Sequence, residues 1–179
     1  MNELPQSILY PDLAHEIDQM TEVDQDLRNR AMAARDDEEV NAQLKAADER
    51  NTARMKEIVA AIGWPTISKV GVAGSKDAWL LVQHADHDVG FQKEMLELMH
   101  QESESEVSQR NIAYLTDRVA VNEQRPQTYG TQWHEDADDF RPIEDREHVD
   151  ERRAALGMEP LAEYESDLRK RWNMLKKKK

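Results

Sequence analysis

The stretch PDLAHEIDQMTEVDQDLRNRAMAA, residues 11–34, decides the fold. Leu13, Ile17, Met20, Leu27 and Ala31 fall on one stripe of an α-helix. One position in that stripe is not apolar. Asp24 occupies a slot where the spacing asks for carbon, and Arg28 follows four residues later on the same face. A buried carboxylate is costly unless it is paired or hydrogen-bonded.

Working outward, the acidic break RDDEE at 35–39 leads into a second stripe, Val40, Leu44, Ala47, Met55, Ile58 and Ile62. Gly63 and Pro65 stop it, as glycine and proline do at helix C-termini. The short connection makes these two helices antiparallel neighbours. The second stripe repeats the anomaly of the first, because Asn51 sits between Ala47 and Met55, with Asp48 close by.

GWPTISKVGVAG, residues 63–74, reads as a linker, after which Ser75 is an expected N-cap for KDAWLLVQHA. Asp88 can cap VGFQKEMLELMHQ by the same chemistry, and ESEVSQRNIAYLTDR, 104–118, continues as helix. The pattern then changes. Val119 and Val121 alternate with smaller residues, a turn-rich stretch follows, and Thr128, Tyr129 and Thr131 suit a returning strand, so a β-hairpin is expected. HEDADDFRPIEDREH, 134–148, reads as an acidic loop, and two short helices follow at 149–156 and 160–175, separated at Gly157. The expected fold is mainly α, a single-domain helical bundle over residues 1–175 with one β-hairpin and a basic tail at 176–179.

Composition narrows the chemistry. The 179 residues include no cysteine, which excludes disulfides, thiolate metal sites and thiol catalysis. A net charge of −13 argues against a general nucleic-acid partner, which needs cations to displace phosphate counterions. The basic end RKRWNMLKKKK is the exception, and cations favour helix C-termini. No apolar run approaches the roughly 18 residues of a membrane span. The opening MNELPQSILYPDLAHE has neither the basic nor the apolar region of a secretion signal, so a cytoplasmic protein is expected.

A further polar run is LVQHADHDVGFQ, residues 81–92. His84, Asp86, His87 and Asp88 are suitable metal-ligand types, but i, i+2 residues on a helix point apart, and Asp88 is better placed as a cap. No metal and no cofactor are therefore expected. Acid–base work fits better, because an ordinary imidazole exchanges protons near neutrality. His84 is the candidate, with Asp86 or Asp117 as the carboxylate that orients it. Arg28 or Arg118 would hold an anionic group, while Asn51, Tyr129 and Gln132 read polar groups by hydrogen bonding. Asp24, Gln83 and Thr131 complete the expected polar lining. The chain carries no G-x-S-x-G elbow, P-loop or dinucleotide fingerprint.

In order along the chain, DQDLRNR, DERNTARMKEIVAAIGWP, AWLLVQHADHDVGFQ, AYLTDRVAVN, QTYGTQ, PIED and VDERRAALGMEPLAEY together resemble a bacterial family, domain of unknown function 6624. The resemblance covers nearly the whole chain. It implies no reaction, but it singles out Asp24, Gln25, Arg28, Asn51, Gln83, His84, Asp86, Gln92, Asp117, Arg118, Gln127, Tyr129, Thr131 and Gln132 as matching the family's polar signatures. Two departures stand out: NEQRP replaces a turn where glycine is expected near Gln124, and the basic tail is peculiar to this chain.

These readings lead to an expected small-molecule enzyme, a hydrolase or group transferase working without metal through His84, on a small polar or anionic ligand. The alternative is a non-catalytic ligand-binding or protein-interaction module of the same fold. The residues do not specify an oligomeric state.

Overall fold

The computed structural model describes residues 8–134 and 139–176, with side chains to residue 170. Its architecture is mainly α, seven α-helices and one two-stranded antiparallel hairpin among the described residues. Its contacts form two compact units, Met1–Ile112 and Ala113–Lys179.

In the first unit the opening stripe becomes α1, Pro11–Ala33, with proline in the first turn, where its fixed φ is already helical. Ile17, Thr21, Asp24 and Leu27 form its buried face. Helix α2, Glu38–Ile62, starts behind Asp37, whose carboxylate accepts the amides of Glu39 and Val40 at 3.0 and 3.1 Å. It ends at Gly63, whose φ of 71° is the left-handed conformation glycine adopts without penalty. The pair is antiparallel. Arg30 Nη2 reaches Gln43 at 3.2 Å toward one end, and Arg54 holds Glu16 at 2.6 and 2.9 Å toward the other.

The stretch expected as a linker is mostly helix. Helix α3, Ile67–Gln83, begins behind Thr66 and passes through a kink at Gly71, φ 80°. Ser75 is therefore buried inside the helix and is not its N-cap. The turn-formers are real, but side chains satisfy the helix ends around them. Glu106 accepts the Ser68 amide at 2.9 Å, and Lys69 Nζ donates to the carbonyls of Ile62 and Trp64 at 2.6 and 3.0 Å. Helix α1 packs against α2 and α3. Helix α4, Val89–Gln101, is capped as expected, with Asp88 accepting the Phe91 amide at 3.0 Å.

Helix α5, Gln109–Asn122, begins later than the sequence pattern suggested and holds the boundary between the units. It also overturns the expected hairpin position. Val119 and Val121 are its last turn, not a strand: Leu115 and Val119 are buried four residues apart, as on one helix face. The helix closes with Arg125 N–H on Ala120 O at 2.8 Å and Gln124 N–H on Val121 O at 2.9 Å. That is a Schellman cap with Gln124 in the left-handed position, φ 59°.

The actual hairpin lies where an acidic loop was expected. Strands β1, Trp133–His134, and β2, Asp139–Phe140, pair Trp133 with Phe140 and His134 with Asp139. Residues 135–138 of HEDADD lie outside the described residues, as do 177–179 of the basic tail. A short 3-10 turn at Arg146–His148 leads into α6, Val149–Ala155, and then α7, Leu161–Lys176. Phe140, Val149, Leu161 and Tyr164 form the second unit's buried cluster, with Tyr114, Trp133, Ile143 and Leu168 packed against it.

Candidate functional site

The first unit gathers four charged or titratable side chains from three helices. Asp24 of α1 is fully buried, and its Oδ2 lies 2.9 Å from His84 Nδ1. Gln25 Nε2 donates to the same oxygen at 2.8 Å. Arg28 Nε, one turn along α1, stands 3.2 Å from Asp24 Oδ1 and 2.9 Å from His84 Nδ1. Its Nη2 donates to Asp48 of α2 at 2.5 Å. His84 itself is the C-cap residue of α3, its amide bonded to the Leu80 carbonyl at 3.1 Å.

Two groups compete for Nδ1 of the imidazole. Nδ1 cannot both accept from Arg28 and donate to Asp24. If it carried a lone pair, that pair would face a carboxylate oxygen at 2.9 Å. A proton on Nδ1 removes that repulsion but faces the Arg28 Nε–H at 2.9 Å, whose other acceptor is Asp24 Oδ1 at 3.2 Å. Both donors converge on one carboxylate, the arrangement in which a carboxylate sets an imidazole's tautomer and orientation. His84 Nε2 makes no hydrogen bond among the described residues, and the side chain remains 15% exposed.

The two carboxylates of this cluster respond differently to burial. Burial pushes Asp24 up, but the His84 hydrogen bond, the neighbouring His84 and Arg28, and the Gln25 amide outweigh it and hold the carboxyl below its ordinary value. For Asp48 burial prevails over Arg28, Asp24 adds to it, and the carboxyl lies above its ordinary value.

The carboxylate in contact with His84 is Asp24, not Asp86. Asp86 is exposed and accepts from Gln92 Nε2 at 3.3 Å, while the same amide nitrogen also reaches the Val82 and Gln83 carbonyls at the end of α3. Asn51 and Gln83 keep buried atoms, Nδ2 and Oε1, without a partner among the described residues. His87 is exposed. Asp88, besides capping α4, pairs with Lys56 at 2.6 Å. Among the described residues no three His, Asp or Glu side chains group as metal ligands.

The remaining candidates form a network within their own unit, the second. Asp117, fully buried on α5, accepts the amides of Thr128, Tyr129 and Thr131 at 2.7–2.9 Å and the Thr131 hydroxyl at 2.9 Å. Arg118 Nη1 donates to Gln132 Oε1 at 3.0 Å, and Gln132 Nε2 donates to Thr131 Oγ1 at 3.0 Å. Gln127 exchanges bonds with the Gln132 backbone at 2.8 and 2.9 Å. The carbonyls of the same loop are held by Arg152 at Thr128, Arg153 at Tyr129 and the Tyr164 hydroxyl at Thr131, at 2.9, 2.8 and 3.3 Å. Gly130, φ 70°, has no room for a side chain, since a Cβ there would stand 2.7 Å from Leu161. Despite its donors, burial holds Asp117 above its ordinary value. Its oxygens already serve the loop, and within its own unit it is an anchor.

This geometry gives the ordered signatures a physical sense. YLTDR supplies Asp117, QTYGTQ the loop it holds, and VDERRAALG the arginines that clamp the loop's carbonyls. The chain belongs to the family of unknown function DUF6624. The family's profile matches residues 11–177, spanning both units. No curated protein and no solved structure matches the chain.

Sequence reasoning noted Asp48 but did not place it in the site. Its signal was its position one turn before Asn51 on the anomalous stripe. Arg152 and Arg153 were missed altogether. Nothing in residue spacing marks an arginine as a clamp for a distant loop.

Proposed function

We propose that the protein is a small-molecule enzyme, a hydrolase or group transferase, in which His84 is the general base and then the general acid. The observation that carries this reading is the 2.9 Å contact between Asp24 Oδ2 and His84 Nδ1, with Nε2 left without a partner among the described residues. Nε2 would take the proton of a water or hydroxyl nucleophile as that oxygen attacks the substrate. The imidazolium formed is stabilised by Asp24, and the proton then passes from Nε2 to the leaving group. Arg28 keeps Asp24 in place from the other side. The substrate is small and polar, and the setting cytoplasmic. A net charge of −13 speaks against a nucleic-acid substrate.

A second reading is a non-catalytic binding or interaction module. Arg28 supports it, because one guanidinium joins α1 to both α2 and α3, as a purely structural ion network would.

The two readings separate on turnover. The purified chain is assayed against simple esters, amides and phosphoesters beside His84→Ala. The enzyme reading expects turnover of at least one class, reduced by about 10²–10⁴-fold in the variant. Turnover unchanged by His84→Ala would remove His84 from the chemistry, and no turnover of any class would favour the binding module. Nitrogen NMR of the ring gives an independent check, with the neutral form expected to carry its proton on Nδ1.

A further inference from the structure

We propose that the ligand of this site presents a protonated amine, received by Asp48 beside His84. The inference rests on the reading of the His84 cluster as a ligand site and names the substrate class that cluster selects.

Charge balance is the first argument. Asp24 and Asp48 are both largely withdrawn from water, with side chains 0% and 18% exposed, and among the described residues Arg28 is the one guanidinium or ammonium group hydrogen-bonded to either carboxylate. Two carboxylates thus share one permanent cation. An unmet charge in a half-buried setting is expensive, and the ligand that relieves it is a cation. An anion would meet the reverse situation, because Arg28 is already committed to both carboxylates.

Unused atoms are the second argument. Asp48 accepts from Arg28 through Oδ1, and its Oδ2 has no partner among the described residues. Thr52 lies one turn further on the same face of α2, 4% exposed, and its buried hydroxyl has no partner either. Thr21 on α1 is 8% exposed and equally unpartnered. The antiparallel register, set by Arg28 with Asp48 and Arg54 with Glu16, puts Thr21 opposite Thr52. An unmet buried hydroxyl is costly, so two of them facing each other across α1 and α2 near Asp48 need a reason. An ammonium group carries three N–H donors and no acceptor, which suits one carboxylate oxygen with hydroxyl oxygens behind it.

Third, the amine would lie next to the proposed base. Arg28 ties Asp48 and His84 together at 2.5 and 2.9 Å. A substrate anchored at Asp48 by its amine would thus extend from the same cluster that holds His84.

The test uses the full chain and three small probes: propylammonium, propionate and inorganic phosphate. Binding is followed by amide NMR. Propylammonium should bind saturably, with shifts centred on residues near Asp48 and Thr52, and propionate and phosphate should bind at least about tenfold more weakly. Asp48→Asn keeps the shape, removes the charge, and should weaken the amine by about tenfold or more. Thr52→Val, which removes only the hydroxyl, is the second variant and should weaken it less. No saturable amine binding, an anion binding as tightly, or parent-like affinity in both variants would overturn the proposal. His84→Ala should leave amine binding within about threefold, so a failure of the acid–base reading would show as persistent turnover with amine binding intact.

Discussion

Asp24 and Asp117 are both fully buried aspartates, and they have opposite surroundings. Asp117 receives neutral donors only, three backbone amides and a hydroxyl, all from residues 128–131 of its own unit. Its acceptor capacity is used up in holding a loop. Asp24 receives a guanidinium, an imidazole and an amide from side chains, and the cluster around it keeps His84 Nε2 and Asp48 Oδ2 unused among the described residues. Burial alone does not tell these two carboxylates apart. What distinguishes them is whether the network closes on itself or ends in atoms that still lack partners.

The comparison breaks most easily at Asp117. Replacing it with alanine would leave three buried or half-buried amides and the Thr131 hydroxyl without their acceptor. The expected loss is about 3–4 kcal/mol of stability, measured by urea unfolding. A loss below about 1 kcal/mol would mean that the arginine clamps alone hold the loop, and that Asp117 is not its anchor.

Protonation sharpens the same contrast, because the two groups shift in opposite directions from an ordinary value of 3.8. Asp24 is lowered, so its stabilising contribution is present above 3.8 and is lost as pH falls through the depressed value. Asp117 is raised, so its contribution is present below 3.8 and is lost as pH rises through the elevated value. Asp24→Asn should therefore cost little in acid and more as pH rises. Asp117→Asn should cost most in acid, with the difference from the parent narrowing as pH rises. Unfolding curves collected across this range check both slopes, and parallel slopes would show that the two carboxylates are not electrostatic opposites.

How much of this was legible beforehand follows from the range of the interactions. The α1 and α2 stripes, the Gly63 stop and the Asp88 cap depend on residues within about one helical turn of each other, and they were read correctly. Asp24 was visible as a polar residue in an apolar stripe, and His84 as the one imidazole on a helix too apolar to be exposed. Their direct contact was not visible, since 60 positions separate them and helical spacing says nothing across that distance. The α3 start failed for a related reason. Gly71 and Gly74 looked like linker chemistry, while the side chains that rescue the helix ends, Glu106 and Lys69, lie elsewhere in the sequence. The hairpin failed because a Val-Ala-Val run satisfies both periods at once, and only the buried Leu115–Val119 face settles it as helix.

Gln124 offers the smallest and most local test. Its backbone sits at φ 59°, at the point where α5 gives way to the loop that Asp117 organises. A side chain in that left-handed position is strained, and glycine carries no such penalty. The cap's two hydrogen bonds come from backbone amides, Gln124 to Val121 and Arg125 to Ala120, so Gln124→Gly keeps both. The substitution gains relief of strain and loses some unfolded-state restriction, for an expected net stabilisation of about 0.5–1 kcal/mol. Thermal unfolding of the variant measures it, while the spectrum of the His84 ring should not change. A destabilised variant would mean that the Gln124 side chain does work at the helix end that its φ angle does not reveal. The loop's stability would then depend on more than the Asp117 network and the clamps at its carbonyls.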